Sequence, residues 1–293
     1  MLTVAQAFEK FMQGLELHEG EDREAKRQER NVFEAMRRRL GPRESILSGS
    51  YGRKTAIRPL HDIDLFLIFT ANTSGTGKTV GPEEFLNRVK EALEEEFRGK
   101  QARLQNRSVN IEFNGTGIGF DVVPALEDPR RPGTYWIPDV RKDDWIQSNP
   151  RKHIDACDAA NAKASQRLKP LIKAIKRWRQ LQGKPVPSFL LEVMAYKGID
   201  SFHPDPRLSI YAQGMAHLFQ FMSERIMEQW PEPAGLGPPV NSGVGQTNLV
   251  QGQQRLSGAA RRAARALELE RVGDILGANE IWRELLGPDF PVR

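Results

Sequence analysis

Residues 63–69, Ile-Asp-Leu-Phe-Leu-Ile-Phe, constrain this chain more than any other stretch. The run is too short and too rich in β-branched and aromatic side chains for a helix, so it predicts a buried strand. Side chains on a strand alternate between faces, so Asp62 and Asp64 project the same way. Two carboxylates beside an apolar run repel one another and are costly to desolvate as anions unless a cation joins them. Hard divalent ions, Mg²⁺ above all, satisfy such oxygen ligands while leaving room for water and phosphate.

A Gly-Ser pair precedes that strand. Gly49 lets the backbone turn sharply or approach a ligand, and Ser50 adds a hydroxyl where a short helix can begin. Backbone N–H groups there would hold phosphate oxygens. Either element alone carries little information, but Ser50 stands twelve residues before Asp62, and the combination is specific.

The combination resembles the polymerase-β-like nucleotidyltransferase superfamily, whose members pair a Gly-Ser turn with two strand aspartates and a third aspartate on a neighbouring strand. Asp121, central in Gly-Ile-Gly-Phe-Asp-Val-Val-Pro at 117–124, matches the third position. Glu112 in Val-Asn-Ile-Glu-Phe is the rival, and the order aromatic, Asp, Val, Val, Pro favours Asp121. Further along come Tyr-Trp-Ile-Pro at 135–138, Trp145, Ser-Asn-Pro at 148–150, Leu-Lys-Pro-Leu-Ile-Lys-Ala-Ile-Lys-Arg-Trp at 168–178, Ser-Phe-Leu-Leu-Glu at 188–192 and the 278–291 segment. This succession is similar to the cGAS/DncV-like nucleotidyltransferases, bacterial relatives of cyclic GMP-AMP synthase and oligoadenylate synthase.

The resemblance implies a mixed α/β fold. Residues 1–150 would form a polymerase-β-like nucleotidyltransferase lobe with N-terminal helices and a small mixed sheet, and 151–293 an all-helical lobe closing the nucleotide cleft. It implies a metal-dependent enzyme that makes a cyclic di- or trinucleotide second messenger from NTPs, ATP among them, in anti-phage defence. Two Mg²⁺ ions, or Mn²⁺, would be held by Asp62, Asp64 and Asp121. Gly49, Ser50, Lys173, Lys176 and Ser188 would hold the donor nucleotide, and Glu192 would brace its segment. Lys169, Lys173 and Lys176 fall at i, i+4 and i+7 on one helix face, a pattern that a solvated surface helix also produces. Two other functions fit the same motifs: an RNA 3′-end nucleotidyltransferase of the CCA-adding or poly(A) kind, and a non-catalytic nucleotide-binding member.

Composition bounds these readings. At 293 residues and 39% hydrophobic, the chain suits two lobes rather than one core. It shows neither an apolar run of spanning length nor a signal-peptide pattern, so a cytoplasmic, membrane-free protein is expected. A single cysteine, Cys157, excludes an intramolecular disulfide and a cysteine-rich zinc site. The net charge of +5 suits anionic substrates or nucleic acid, but residues 231–293 hold seven basic and seven acidic side chains and form no basic tail. No nucleic acid is therefore expected to be required, and there is room for a regulatory or effector protein partner.

Helices are expected up to about Leu40, over 83–97 and from Pro150 onward, including one over 163–184. Strands are expected near 44–49, 63–69, 103–113 and 117–124. The basic run at 37–43 reads as a solvated face, and Tyr211, Met215, Leu218, Met222 and Ile226 as a core stripe. Residues 231–243 read as a loop. Two glycine patterns are set aside. Residues 74–79, Ser-Gly-Thr-Gly-Lys-Thr, lack the first glycine of a phosphate-binding loop, and Gly115, Gly117 and Gly119 have the wrong spacing for a dinucleotide fingerprint.

Overall fold

The computed structural model describes residues 1–70, 80–113 and 117–293. The 74–79 segment and Gly115 lie outside them. In chain order the elements are α1 (Val4–Leu15), α2 (Glu19–Leu40), β1 (Glu44–Leu47), α3 (Gly49–Gly52), β2 (Asp62–Phe69), α4 (Pro82–Glu96), β3 (Ala102–Leu104), β4 (Val109–Phe113), β5 (Ile118–Glu127), β6 (Tyr135–Asp139) and β7 (Asp144–Ser148). Helices follow: α5 (Pro150–Lys163), α6 (Leu168–Leu181), α7 (Ser188–Gly198), α8 (Ile210–Arg225), α9 (Gln246–Arg271) and α10 (Ile275–Leu286). The chain divides into a sheet unit, Leu17–Asp155 with Ala234–Gly237, and a helical unit, Met1–Glu16, Ala156–Pro233 and Pro238–Arg293.

In the sheet unit the path runs β1-β2-β5-β4-β3, with β6 on the far end of β5 and β7 beyond it. Among the described residues only β2 and β5 are parallel; the other pairings are antiparallel, so the sheet is mixed. Alternation along β2 sorts its side chains. Ile63, Leu65, Leu67 and Phe69 join the main core beneath α2 and α4, with Val32, Met36, Phe85, Val89 and Leu93. Phe66 and Ile68 join a smaller cluster with Ile46, Val123, Ala125, Tyr135 and Ile137 on the other face. Asp62 and Asp64, four and two positions before Phe66, share that second face. It is therefore acidic at one end and apolar at the other.

Four details differ from the sequence reading. The run 103–113 is a hairpin, β3 and β4, closed by Gln105 N–H to the Ser108 carbonyl at 2.9 Å. The β6–β7 hairpin is absent from the expected strands, because Pro138 argues against a strand and a charged turn interrupts the pattern. The expected 163–184 helix breaks: Ser165 and Gln166 take positive φ of 48° and 65°, and α6 restarts at Leu168. Pro170, lacking an N–H, then falls in the first turn, where none is needed.

The fourth difference concerns α1, expected with the catalytic lobe but grouped with the helical unit. Its capping box, Thr3 with Gln6, starts the helix, and Val4, Ala7, Phe8, Phe11, Met12 and Leu15 face inward. Phe8 meets Trp282 of α10 at 4.9 Å and Phe290 at 5.1 Å, both edge-on. Trp282, Phe290 and Phe8 are all fully buried, so the C-terminal segment serves as the partner for α1's apolar face. In the same unit Met215, Leu218, Met222 and Ile226 of the α8 region are fully buried as a core stripe, as expected, while Tyr211, expected in the same stripe, is half-buried at its start. Arg38 and Arg39 of the basic run pair with Glu96 at 2.8 and 2.7 Å in a solvated face, also as expected. Among the described residues no helix is long and apolar enough to cross a membrane.

Candidate active site

The parallel register of β2 and β5 sets Asp64 opposite Asp121, and the antiparallel register of β5 and β4 sets Asp121 opposite Asn110. One row along, Asp62 stands opposite Gly119, and Gly119 opposite Glu112. Paired residues share a face, so the sheet displays the rows Asp64–Asp121–Asn110 and Asp62–Gly119–Glu112 side by side. The choice between Asp121 and Glu112 becomes geometric. Asp121 adjoins Asp64 directly, whereas Glu112 is separated from Asp62 by the width of β5 and pairs with Arg103 at 3.0 Å.

Both strand aspartates back onto glycines. Gly49 has φ of +60°, and a side chain there would overlap the Asp64 carboxylate. A Cβ at Gly119 would lie 2.9 Å from Asp62 Oδ1. The turn is tied to the strand: Ser48 N–H donates to the Asp64 carbonyl at 2.8 Å, and Thr55 and Ala56 N–H donate to the Ser50 carbonyl at 2.8 and 3.0 Å. Gly49 and Ser50 open α3, whose first-turn amides have no intrahelical acceptor. Backbone donors thus stand beside a carboxylate, an arrangement that suits a phosphate bridged to it by a cation.

The electrostatics point the same way. Burial pushes the Asp64 carboxyl up to about 6, with Asp121 and Asp62 adding repulsion and Arg53 opposing it. Burial also raises Asp121, helped by Asp62 and opposed by hydrogen bonds from Asn110 and Gln105. Charge is being held close together and away from water, which a divalent cation relieves. Among the described residues no three acidic, His or Cys side chains already converge as a metal cage. Asp121 Oδ1 is instead turned into amide donors. The donor set, three carboxylates on one face with glycines behind two of them, fits a hard cation that draws them together.

Three site residues were missed in the sequence. Asn110 and Gln105 donate to Asp121 at 2.9 and 3.0 Å, and only the β4–β5 register reveals Asn110. Arg53, 6% exposed, sits in the Gly-Ser segment and carried no signal of its own.

The remaining expected residues belong to the helical unit. Lys173, 5% exposed, pairs with Glu16 at 2.5 Å. Lys176 pairs at 2.9 Å with Glu192, itself 1% exposed. Lys169 pairs with Asp158. Ser188 is the first residue of α7 and is half-buried. The lysine face is therefore not a solvated one, since each ammonium meets a carboxylate.

Comparison with known proteins identifies the family and the fold. The description "Second Messenger Oligonucleotide or Dinucleotide Synthetase domain" matches residues 1–161. A probable cyclic nucleotide synthase of Bacillus cereus (strain VD146) is 27% identical over 289 residues, covering 89% of this chain and 86% of the relative. A cyclic AMP-AMP-AMP synthase of Acinetobacter sp. is 28% identical over 269 residues, covering 84% and 72%. Among solved structures, E. coli MS115-1 CdnC in complex with HORMA-deltaN superposes with a TM-score of 0.76 at 17% identity over 98% of both chains. Vibrio cholerae DncV cyclic AMP-GMP synthase, bound to the linear intermediate pppA(3′,5′)pG, gives 0.74 at 13% identity over 97% of both. The fold is thus that of the cGAS/DncV-like nucleotidyltransferases.

Proposed function

The chain belongs to the Second Messenger Oligonucleotide or Dinucleotide Synthetase family, and from that premise we propose that Asp62, Asp64 and Asp121 form the active site of a cyclic oligonucleotide synthase. Its reaction joins NTPs through successive nucleotidyl transfers into a cyclic di- or trinucleotide, a signal used in anti-phage defence. The observation that carries the site is the register that sets Asp64 against Asp121, with Gly49 packed directly against Asp64.

Asp62, Asp64 and Asp121 are the residues that would hold divalent metal, Mg²⁺ or Mn²⁺ in two sites. Bound there, it supplies charge neutralisation for the triphosphate and acidifies the attacking hydroxyl. Asp121 has one carboxylate oxygen engaged by Asn110 and Gln105, so its Oδ2 is the atom that takes the hydroxyl proton. Gly49 and Ser50 bring backbone amides to the donor phosphates without a side chain intervening. Most of the rate enhancement is then positioning of two nucleotides and stabilisation of charge.

Of the residues carried over on the helical unit, Ser188 is proposed as a phosphate contact on the family resemblance, as the first residue of α7. Lys173 and Lys176 reach a donor nucleotide only by giving up Glu16 and Glu192, an exchange that costs most at Lys176. A regulatory protein partner is a further part of the reading, supported by the E. coli relative solved in complex with HORMA-deltaN.

The test is to incubate purified protein with NTPs and Mg²⁺ or Mn²⁺, with and without RNA, and to size the product by mass spectrometry. A phosphatase-resistant cyclic oligonucleotide formed without RNA is expected. Label appearing only with RNA, and migrating with it, would replace this reading by RNA tailing. An inactive chain that gains activity with a cellular protein keeps the chemistry and revises its regulation.

A further inference from the structure

Asp121 is held by side chains from the β3–β4 hairpin. Asn110 Nδ2 donates to Asp121 Oδ1 at 2.9 Å, and Gln105 Nε2 donates to the same oxygen at 3.0 Å. The two amides take up the accepting capacity of Oδ1 and leave Oδ2 as the oxygen they do not engage. Each amide is itself oriented. Ser108 Oγ donates to Gln105 Oε1 at 2.7 Å, which turns the NH₂ end of Gln105 toward Asp121. Gln105 N–H in turn donates to the Ser108 carbonyl at 2.9 Å, closing the hairpin turn. Asn110 is 7% exposed and Ser108 6% exposed, and Asn110 stands opposite Asp121 in the ladder. An amide flip at Gln105 would set its oxygen against the carboxylate, so the assignment is the one the network selects.

We propose that Asn110 and Gln105, braced by Ser108, are positioning residues that fix the Asp121 carboxylate with Oδ2 turned toward metal and acceptor hydroxyl. The proposal rests on the reading of Asp121 as the third site carboxylate. Its logic is electrostatic. A lysine or arginine in either place would restrain Asp121 equally well but would neutralise it and compete with the metal. A neutral amide restrains the carboxylate and leaves its full charge to the cation. Partners of this kind, one step removed from the metal, typically contribute 10- to 100-fold in affinity or activity.

The experiment compares Asn110→Ala, Gln105→Ala and the double variant with the unmodified enzyme. Glu112→Gln, on the same hairpin but engaged by Arg103, is the control, and Asp121→Asn tests the underlying reading. Four quantities are read: kcat and KM for NTP, the metal concentration giving half-maximal rate, and Mn²⁺ binding to the NTP-free protein by electron paramagnetic resonance. Each single variant is expected to lose about 10- to 100-fold in kcat and in Mn²⁺ affinity, with KM for NTP within about twofold. The double variant should fall short of the product of the two losses, because both amides act on one oxygen. Gln105 is exposed, so Gln105→Ala keeps the test open if the buried Asn110→Ala does not fold. Single variants with unchanged kcat and Mn²⁺ affinity, beside an inactive Asp121→Asn, overturn the positioning role alone. An active Asp121→Asn overturns the site reading and this proposal with it.

Discussion

Charged side chains gather in both units of this protein, half-buried at Asp64 and Asp121 beside an exposed Asp62 and buried at Lys173 and Lys176, and they are treated in opposite ways. On the second face of the sheet, Asp62, Asp64 and Asp121 stand in adjacent positions of two strands, and burial and mutual repulsion raise the pKa values of Asp64 and Asp121. On α6 each lysine has its own carboxylate, most completely at Lys176, whose partner Glu192 is 1% exposed. Like charges held together against desolvation store free energy that a ligand releases on binding. Opposite charges paired in the same kind of environment are satisfied already, and they serve the fold. The contrast is the basis for proposing a site at the aspartates and a brace at the lysines, residues that look equally functional in the sequence.

The largest expected effect breaks the acidic side of that contrast. Asp62→Ala with Asp64→Ala should reduce nucleotide transfer by several orders of magnitude. The melting temperature in EDTA should hold or rise, because the variant removes repulsion and a buried anion. Wild-type turnover at saturating Mg²⁺ would mean these aspartates are not the site.

The next breaks the paired side. Lys176→Met leaves Glu192 buried without its counter-ion and should cost about 3–5 kcal/mol of unfolding free energy in denaturant titrations. Lys176→Met with Glu192→Leu should recover most of that loss. If the single variant unfolds normally and only KM for NTP rises, Lys176 is a nucleotide contact and the contrast fails there.

The smallest sharpens the acidic side without removing any group. The folded-state pKa of Asp64, about 6, lies above its ordinary value of 3.8, so the folded protein holds this proton more tightly than the unfolded chain. Its contribution to stability is fully present below pH 3.8 and is lost as pH rises through about 6, a swing on the order of 2–3 kcal/mol in metal-free protein. Comparing denaturant midpoints of the protein and Asp64→Asn across pH 4–7 in EDTA isolates it from other groups. Equal pH dependence in both proteins would show that Asp64 is not strained. Saturating divalent metal should flatten the difference, since the cation supplies the missing counter-charge.

Local chemistry determined much of this protein. A β-branched and aromatic run with aspartates at i and i+2 is a strand with two carboxylates on one face whatever surrounds it, because strand periodicity is a property of the backbone. The Gly49 turn was equally legible, since a positive φ and contact with Asp64 leave no room for a side chain. So was the amphipathic pattern of α1, though not its partner: nothing in Val4–Leu15 says that Trp282 and Phe290 cover it.

Only the tertiary structure decided which strand residues meet. Asp121 and Glu112 are both acidic residues on short β-rich runs, and register alone sets Asp121 beside Asp64 and Glu112 beside Arg103. Register likewise brought Asn110 to Asp121, and packing gave Lys173 and Lys176 their carboxylates from Glu16, just past the end of α1, and from α7. The physical reason is common to all of these. Periodicity assigns a side chain to a face, but its neighbours across strands and helices come from other elements, from 9 residues away for Glu112 and Arg103 to 157 for Lys173 and Glu16. Those pairings are chosen by the packing of the whole unit rather than by the local sequence.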